Sequence, residues 1–210
     1  MNTKDKENAV TLEILETIEG REDVSQRHLA ERLDVALGLA NLYLKRCVRK
    51  GLIKIKHAPA NRYLYYLTPK GFAEKSRLTG QYLAYSFDFY RKASNSMVDA
   101  FASCTERGFA RVLFGGVSEL AEIASVRAHD FTIEIVGTFD PRSTQDRLVG
   151  RPVWRRLEDA EPADVCIYTA LTPSDGLPRQ IASRFGVERF IVPTIVRPLV
   201  IAPAGENRRK

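Results

Sequence analysis

The sequence predicts an α/β protein in two parts: three helices and a hairpin first, strands alternating with helices last, and a long helix between them. Three observations predict it. Apolar residues recur at helical spacing up to about Lys50 and then give way to two short alternating runs that end at Leu67. An amphipathic pattern continues from Gly71 to about Glu106. Beyond Gly108, short β-branched runs alternate with helical segments at the spacing of strand-helix-strand units.

The 210 residues suffice for two small cores, and the composition is that of a soluble globular protein. No run of 18 apolar residues occurs and the start MNTKDKENAV is polar, so neither a membrane span nor a signal peptide is expected, and the expected location is the cytoplasm. Cys47, Cys104 and Cys166 are widely spaced in apolar sequence and read as buried thiols; His28, His57 and His129 are equally isolated, and no metal site is expected.

Charge is distributed unevenly. The chain is formally +6, and residues 1 to 79 hold 15 basic against 10 acidic side chains. Between Asp34 and Glu74 there is no acid at all, yet Lys45, Arg46, Arg49, Lys50, Lys54, Lys56, Arg62 and Lys70 fall there. Such a field suits a polyanion, because each neutralised phosphate releases counterions; a solvated basic face is the plainer alternative.

Element by element, Val10, Ile14, Leu15 and Ile18 form the apolar face of a first helix closed by Gly20. Ser25 stands at an N-cap position, with His28 where a capping box would have Glu, and Leu29, Leu33 and Val35 follow. After a turn around Asp34 to Gly38, a third helix spans about Leu37 to Lys50, with Ala40, Leu44, Cys47 and Val48 inward and Gly51 as its stop. Residues 52–56 and 62–67 read as strands joined by 57–61. Three helices and a basic hairpin describe a winged helix-turn-helix, predicted for residues 1–79.

The stretches Ala40 to Arg46, Arg49 to Lys54 and Leu67-Thr68-Pro69-Lys70-Gly71 resemble the MarR class of winged-helix regulators, most closely members associated with exopolysaccharide gene clusters. The resemblance covers about residues 9 to 80. It implies a regulator that binds double-stranded DNA, with the third helix in the major groove and the wing on the backbone or minor groove. Helical geometry leaves Gly38, Asn41, Leu42, Lys45 and Arg49 opposite the buried face. Asn41 is the expected base reader, Lys45, Arg46 and Arg49 the expected phosphate holders, and Lys56, His57 and Arg62 the wing contacts. Asn41 as a plain exposed residue, and the wing as a protein contact, are the open alternatives.

The connecting helix is predicted for residues 80–108. Its stripe of Leu83, Phe87, Tyr90, Met97, Phe101 and Cys104, with Tyr82, Tyr85 and Phe89 beside it, fits either a homodimer interface or packing within one chain. Gly80 is a candidate kink.

For residues 109–204 the strands expected are 111–114, 131–140, 164–168 and 189–192, with helices at 120–124 and 181–185, giving a Rossmann-like parallel sheet. Gly115-Gly116-Val117-Ser118-Glu119 follows the first strand, and Asp140 ends the second. The best glycine register is Gly116-x-Ser118-x-x-Ala121, so the second glycine of a dinucleotide fingerprint is replaced. Gly116 and Ser118 would lie at a phosphate, Asp140 at a ribose hydroxyl, Arg142 at a further phosphate or in water, and Thr169 nearby. With Gly150-Arg151-Pro152-Val153, these segments resemble nucleotide-binding domains of nucleotide-sugar-modifying enzymes and CoA-binding-like proteins, which implies a nucleotide or nucleotide-sugar effector.

No nucleophile, base and orienter assemble from the sequence, so a ligand-responsive regulator is expected rather than an enzyme. A nucleotide-sugar-modifying enzyme fused to a DNA-binding module, an NAD(H)-responsive regulator built like the redox sensor Rex, and an assembly scaffold remain alternatives. Residues 205–210 read as a frayed tail.

Overall fold

In the computed structural model, which describes residues 3–20, 24–58, 62–172 and 176–201, α1 (Thr3–Gly20) turns Leu12, Ile14, Leu15 and Ile18 into an apolar core. Ser25 caps α2 (Gln26–Arg32), its hydroxyl accepting from the His28 N–H at 3.0 Å. Asp34, at φ 49°, makes the left-handed turn into α3 (Leu37–Arg49), so Gly38 belongs to the first turn of α3 and not to the connection.

The end of α3 is a Schellman motif: Leu52 N–H reaches the Cys47 carbonyl at 3.0 Å and Gly51 N–H the Val48 carbonyl at 2.9 Å, with Gly51 at φ 71°. That turn delivers β1 (Ile53–Ala58), antiparallel to β2 (Arg62–Leu67). His57 and Ala58 therefore extend the strand where the sequence suggested loop.

The Leu-Thr-Pro-Lys-Gly run has a steric explanation. Thr68 caps α4 (Pro69–Glu106) by accepting from Gly71 N–H at 3.0 Å, and its hydroxyl donates to the Gly51 carbonyl at 2.6 Å. A Cβ on Gly71 would lie 2.1 Å from the Leu52 carbonyl oxygen, so only glycine lets the helix approach the end of α3 this closely. Lys70 donates to the Lys50 carbonyl at 2.9 Å, closing the same junction.

The chain divides into two compact units, residues 1–87 and 88–210, with the division inside α4. The helix runs unbroken through Gly80. The expected stripe is split accordingly: Met97, Phe101 and Cys104 are buried in the core of the second unit, whereas Leu83, Phe87 and Tyr90 are exposed. Met97 is 0% exposed and so cannot belong to a dimer surface.

The second unit is an open sheet. Its strands are β3 (Arg111–Gly115), β4 (Glu134–Phe139), β5 (Arg147–Leu148), β6 (Arg151–Trp154), β7 (Val165–Tyr168) and β8 (Phe190–Ile191). Central β3 is flanked by β4 then β6 on one side and by β7 then β8 on the other, all parallel, which is the order of a doubly wound sheet. β5 adds an antiparallel edge through a two-residue turn, Val149 at φ 49° and Gly150 at φ 76°. The helices are α5 (Glu119–Arg127), α6 (Leu177–Phe185) and α7 (Arg197–Ile201). Phe101 of α4 packs with Phe114 and Phe131 at centroid distances of 6.4 and 5.6 Å. β5 and β6 were not anticipated, and β4 is shorter than residues 131–140. The segment 205–210 expected as a frayed tail lies outside the described residues.

Candidate nucleic-acid interface and the crevice of the second unit

α3 buries Ala40, Leu44 and Cys47 and leaves Gly38, Leu42, Lys45 and Arg49 exposed on its other side. Burial pushes the Cys47 thiol up to about 11, so it stays protonated and unreactive at neutral pH. Lys45 and Arg49 have no ion-pair partner among the described residues. A Cβ on Gly38 would meet nothing within 4 Å, so packing does not require the glycine.

Between α3 and the hairpin lies a groove of about 520 Å³, lined by Gln26, Asn41, Leu42, Lys45, Arg49, Ile55, Tyr63 and Tyr65 among others. Strand alternation assigns its hairpin wall: Ile55, His57, Tyr63 and Tyr65 share one face, and the His57 and Tyr63 rings stand 4.7 Å apart. Lys54 and Lys56 share the opposite face with Tyr66 and Leu64. Lys56 and His57, expected to act together at the wing, therefore point to opposite sides. The Arg62 side chain lies outside the described residues.

Two further expectations are corrected. Arg46 does not present a free cation, because its guanidinium is paired with Glu7 of α1 at 2.8 Å, and that hydrogen bond and charge raise its pKa further. Asn41 is half-buried with its Oδ1 enclosed and without a hydrogen-bond partner, so its amide does not offer the outward donor and acceptor pair that bidentate adenine reading needs. The groove residues Gln26, Ile55, Tyr63 and Tyr65 were missed. The alternation of β1 and β2 was the signal for the last three, since it aligns Ile55 with Tyr65 and His57 with Tyr63.

In the second unit, the residues singled out for a ligand do converge at the carboxyl end of β3, but they bond to one another. Gly116, at φ 109°, is packed so closely that a Cβ would lie 2.5 Å from the Ala170 Cβ. Ser118 caps α5, accepting from Ala121 N–H at 3.3 Å, and its hydroxyl donates to the Thr169 carbonyl at 2.5 Å. Thr169, fully buried, donates to the Gly116 carbonyl at 2.6 Å.

Asp140 accepts from Val117 N–H at 2.9 Å through one oxygen and from Arg142 N–H at 3.0 Å through the other. A side-chain carboxylate thus takes the loop amide that a phosphate would use. Glu119 and the Arg142 side chain are exposed, and Gly115 is buried against Ile181. A separate groove of about 500 Å³ is lined by Phe139, Arg155, Arg156, Glu158 and Arg184. None of the expected ligand residues lines it. Arg155 is held by Asp146 at 2.8 Å and Arg156 by Glu158 at 3.5 Å.

Residues 7–54 match the family described as winged helix-turn-helix DNA-binding. No curated protein matches the chain. Among solved structures, similarity is found to the YusO protein of Bacillus subtilis, at 21% identity over 38% of this chain and 58% of that one, with a TM-score of 0.34. A MarR family transcription regulator is similar at 22% identity over 47% of this chain and 66% of that one, TM-score 0.37. Human N-acetylserotonin methyltransferase in complex with SAM is similar at 14% identity over 86% and 71%, TM-score 0.36. The chain thus spans about 58% and 66% of the lengths of the first two.

Proposed function

We propose that this protein is a transcriptional regulator that binds double-stranded DNA through α3 and the wing. The observation that carries the proposal is the open face of α3, where Lys45 and Arg49 stand exposed beside Leu42, without ion-pair partners among the described residues, within the segment 7–54 that matches the winged helix-turn-helix family. Cations left without acid partners on one helix face are suited to phosphates, whose neutralisation releases counterions. The site of action is the cytoplasm; none of the described helices is long and apolar enough to cross a membrane. A MarR-type mode of action and control of polysaccharide genes are the finer form of this reading, supported by the residues 40–71.

The proposed active form is a homodimer. Tyr82, Leu83, Tyr85, Phe87, Phe89 and Tyr90 are all exposed on α4, an apolar girdle that a second copy would cover. The second unit has the regulatory role, with a nucleotide-bearing effector, in its sharpest form a nucleotide-sugar, at Gly116, Ser118 and Asp140. Such a ligand has to displace the Asp140 carboxylate from Val117 N–H and the Ser118 hydroxyl from Thr169. No catalytic role is proposed; among the described residues no cluster of three or more His, Cys, Asp or Glu is placed to hold a metal ion.

The test is fluorescence anisotropy of the full chain on labelled duplexes across a salt series. Affinity should fall by orders of magnitude between roughly 50 and 200 mM salt, and Lys45→Ala should reduce the slope of log affinity against log salt by about one. Absence of binding at roughly 50 mM salt refutes the proposal. Calorimetry with nucleotide-sugars, NAD(H) and CoA derivatives tests the effector; no heat and no thermal shift with any of them removes it.

A further inference from the structure

The open face of α3 is apolar at its centre. Leu42 is 56% exposed, and across the groove stand Ile55 and Tyr63, 39% and 48% exposed. One exposed leucine calls for no explanation, but three large apolar side chains lining one groove of about 520 Å³ do. Lys45 and Arg49 follow Leu42 by three and seven residues, so both cations lie C-terminal to it along the same helix face. The one side-chain amide of α3 is Asn41, and its oxygen is enclosed. The face therefore offers an alkyl surface followed by positive charge, and no outward amide oxygen.

The chemistry of the major groove matches one base to that surface. Thymine presents a C5-methyl group there, whereas cytosine and adenine present amino donors and guanine presents acceptors. Leu42 set against an amino group or a ring acceptor would exclude water without replacing its hydrogen bond, which is costly. Set against a methyl group it removes apolar surface from water on both sides.

We infer that α3 selects its site by apolar contact between Leu42 and a thymine methyl group, with Lys45 and Arg49 fixing the helix in the groove. The inference rests on the DNA-binding reading above and specifies what is read. It replaces an adenine read by Asn41 with a methyl group read by its neighbour. Ile55 and Tyr63 form the far wall that keeps water from the contact.

The experiment uses the full-length chain and duplexes enriched by it from a random-sequence pool. In an enriched duplex each thymine is replaced in turn by uracil, which lacks only the methyl group. At one thymine per bound recognition helix, uracil should weaken binding by about three- to fivefold. Leu42→Ala should bind the thymine and uracil duplexes equally, while Lys45→Ala should lower affinity for both and keep the difference between them. Leu42 is exposed, so the variant should retain the parent's melting curve by circular dichroism. If no uracil position weakens binding, or if the loss persists undiminished in Leu42→Ala, the inference is overturned. A pool from which no duplex is enriched overturns the DNA-binding reading itself, before any thymine is altered.

Discussion

The groove beside α3 and the crevice beyond β3 hold similar kinds of side chain and treat them in opposite ways. In the first, Lys45 and Arg49 have no ion-pair partner among the described residues, and the Asn41 oxygen is enclosed without a hydrogen-bond partner. In the second, the Ser118 hydroxyl, both Asp140 oxygens and the Thr169 hydroxyl all have partners within the chain. Exposed cations without acid partners keep a field that a polyanion can neutralise, whereas polar groups already bonded to one another are not offered outward. By that criterion α3 is the better candidate for a binding face, and the polar groups of the crevice hold their own turn together.

Substitutions at two glycines would break the comparison most severely. Gly71→Ala places a Cβ 2.1 Å from the Leu52 carbonyl, and Gly116→Ala places one 2.5 Å from Ala170 at a φ of 109°. Each should cost about 3 kcal/mol or more of the stability of its own unit. Chemical denaturation should show the Gly71 variant losing DNA binding, and the Gly116 variant keeping it while its α/β unit unfolds early. Equal loss of DNA binding in both would mean that the two regions cannot be separated.

Asp140→Asn sharpens the comparison at smaller amplitude. It removes the charge that holds Val117 and Arg142 N–H, and should lower the stability of the second unit by about 1 to 2 kcal/mol. DNA affinity without effector should not change. If an effector competes for the Val117 amide, the variant should bind it more tightly than the parent by calorimetry; weaker binding would restore Asp140 as a ribose acceptor.

Asn41→Ala should have the smallest effect. Removing an amide whose buried oxygen has no partner, in favour of a better helix former, should raise thermal stability by about 0.5 to 1 kcal/mol and leave base preference intact. A specific loss at one adenine would return Asn41 to the role its helix position first suggested.

The winged helix was legible because its signals are local. Ser25, Gly51 and Thr68-Pro69-Lys70-Gly71 each fix a cap or stop within a few residues, and the hairpin declares itself by alternation. β5 and β6 were not legible, since two- and four-residue strands containing Arg147, Arg151 and Pro152 acquire their identity only by pairing with the sheet. The same limit applies to the sites. The angle of Asn41 around α3 could be read from spacing, whereas the enclosure of its oxygen depends on the tertiary structure. The Arg46–Glu7 pair joins residues far apart in sequence. In the crevice, the sequence placed Gly116, Ser118 and Asp140 near one another but could not reveal that they would satisfy each other.

The strand order has a consequence during synthesis. Leu78 is the last residue in the sequence to enter the first core, so the winged helix has all it needs while the sheet is still unmade. β3, the first strand of the larger sheet to emerge, is its centre, and it gains one neighbour at residues 134–139 and the other only at 165–168. Both of its edges are bare until the first of these arrives, and one stays bare until the second. A nascent chain stalled between those points would display a finished winged-helix unit ahead of an open β edge, the form of this protein most exposed to aggregation and most in need of a chaperone.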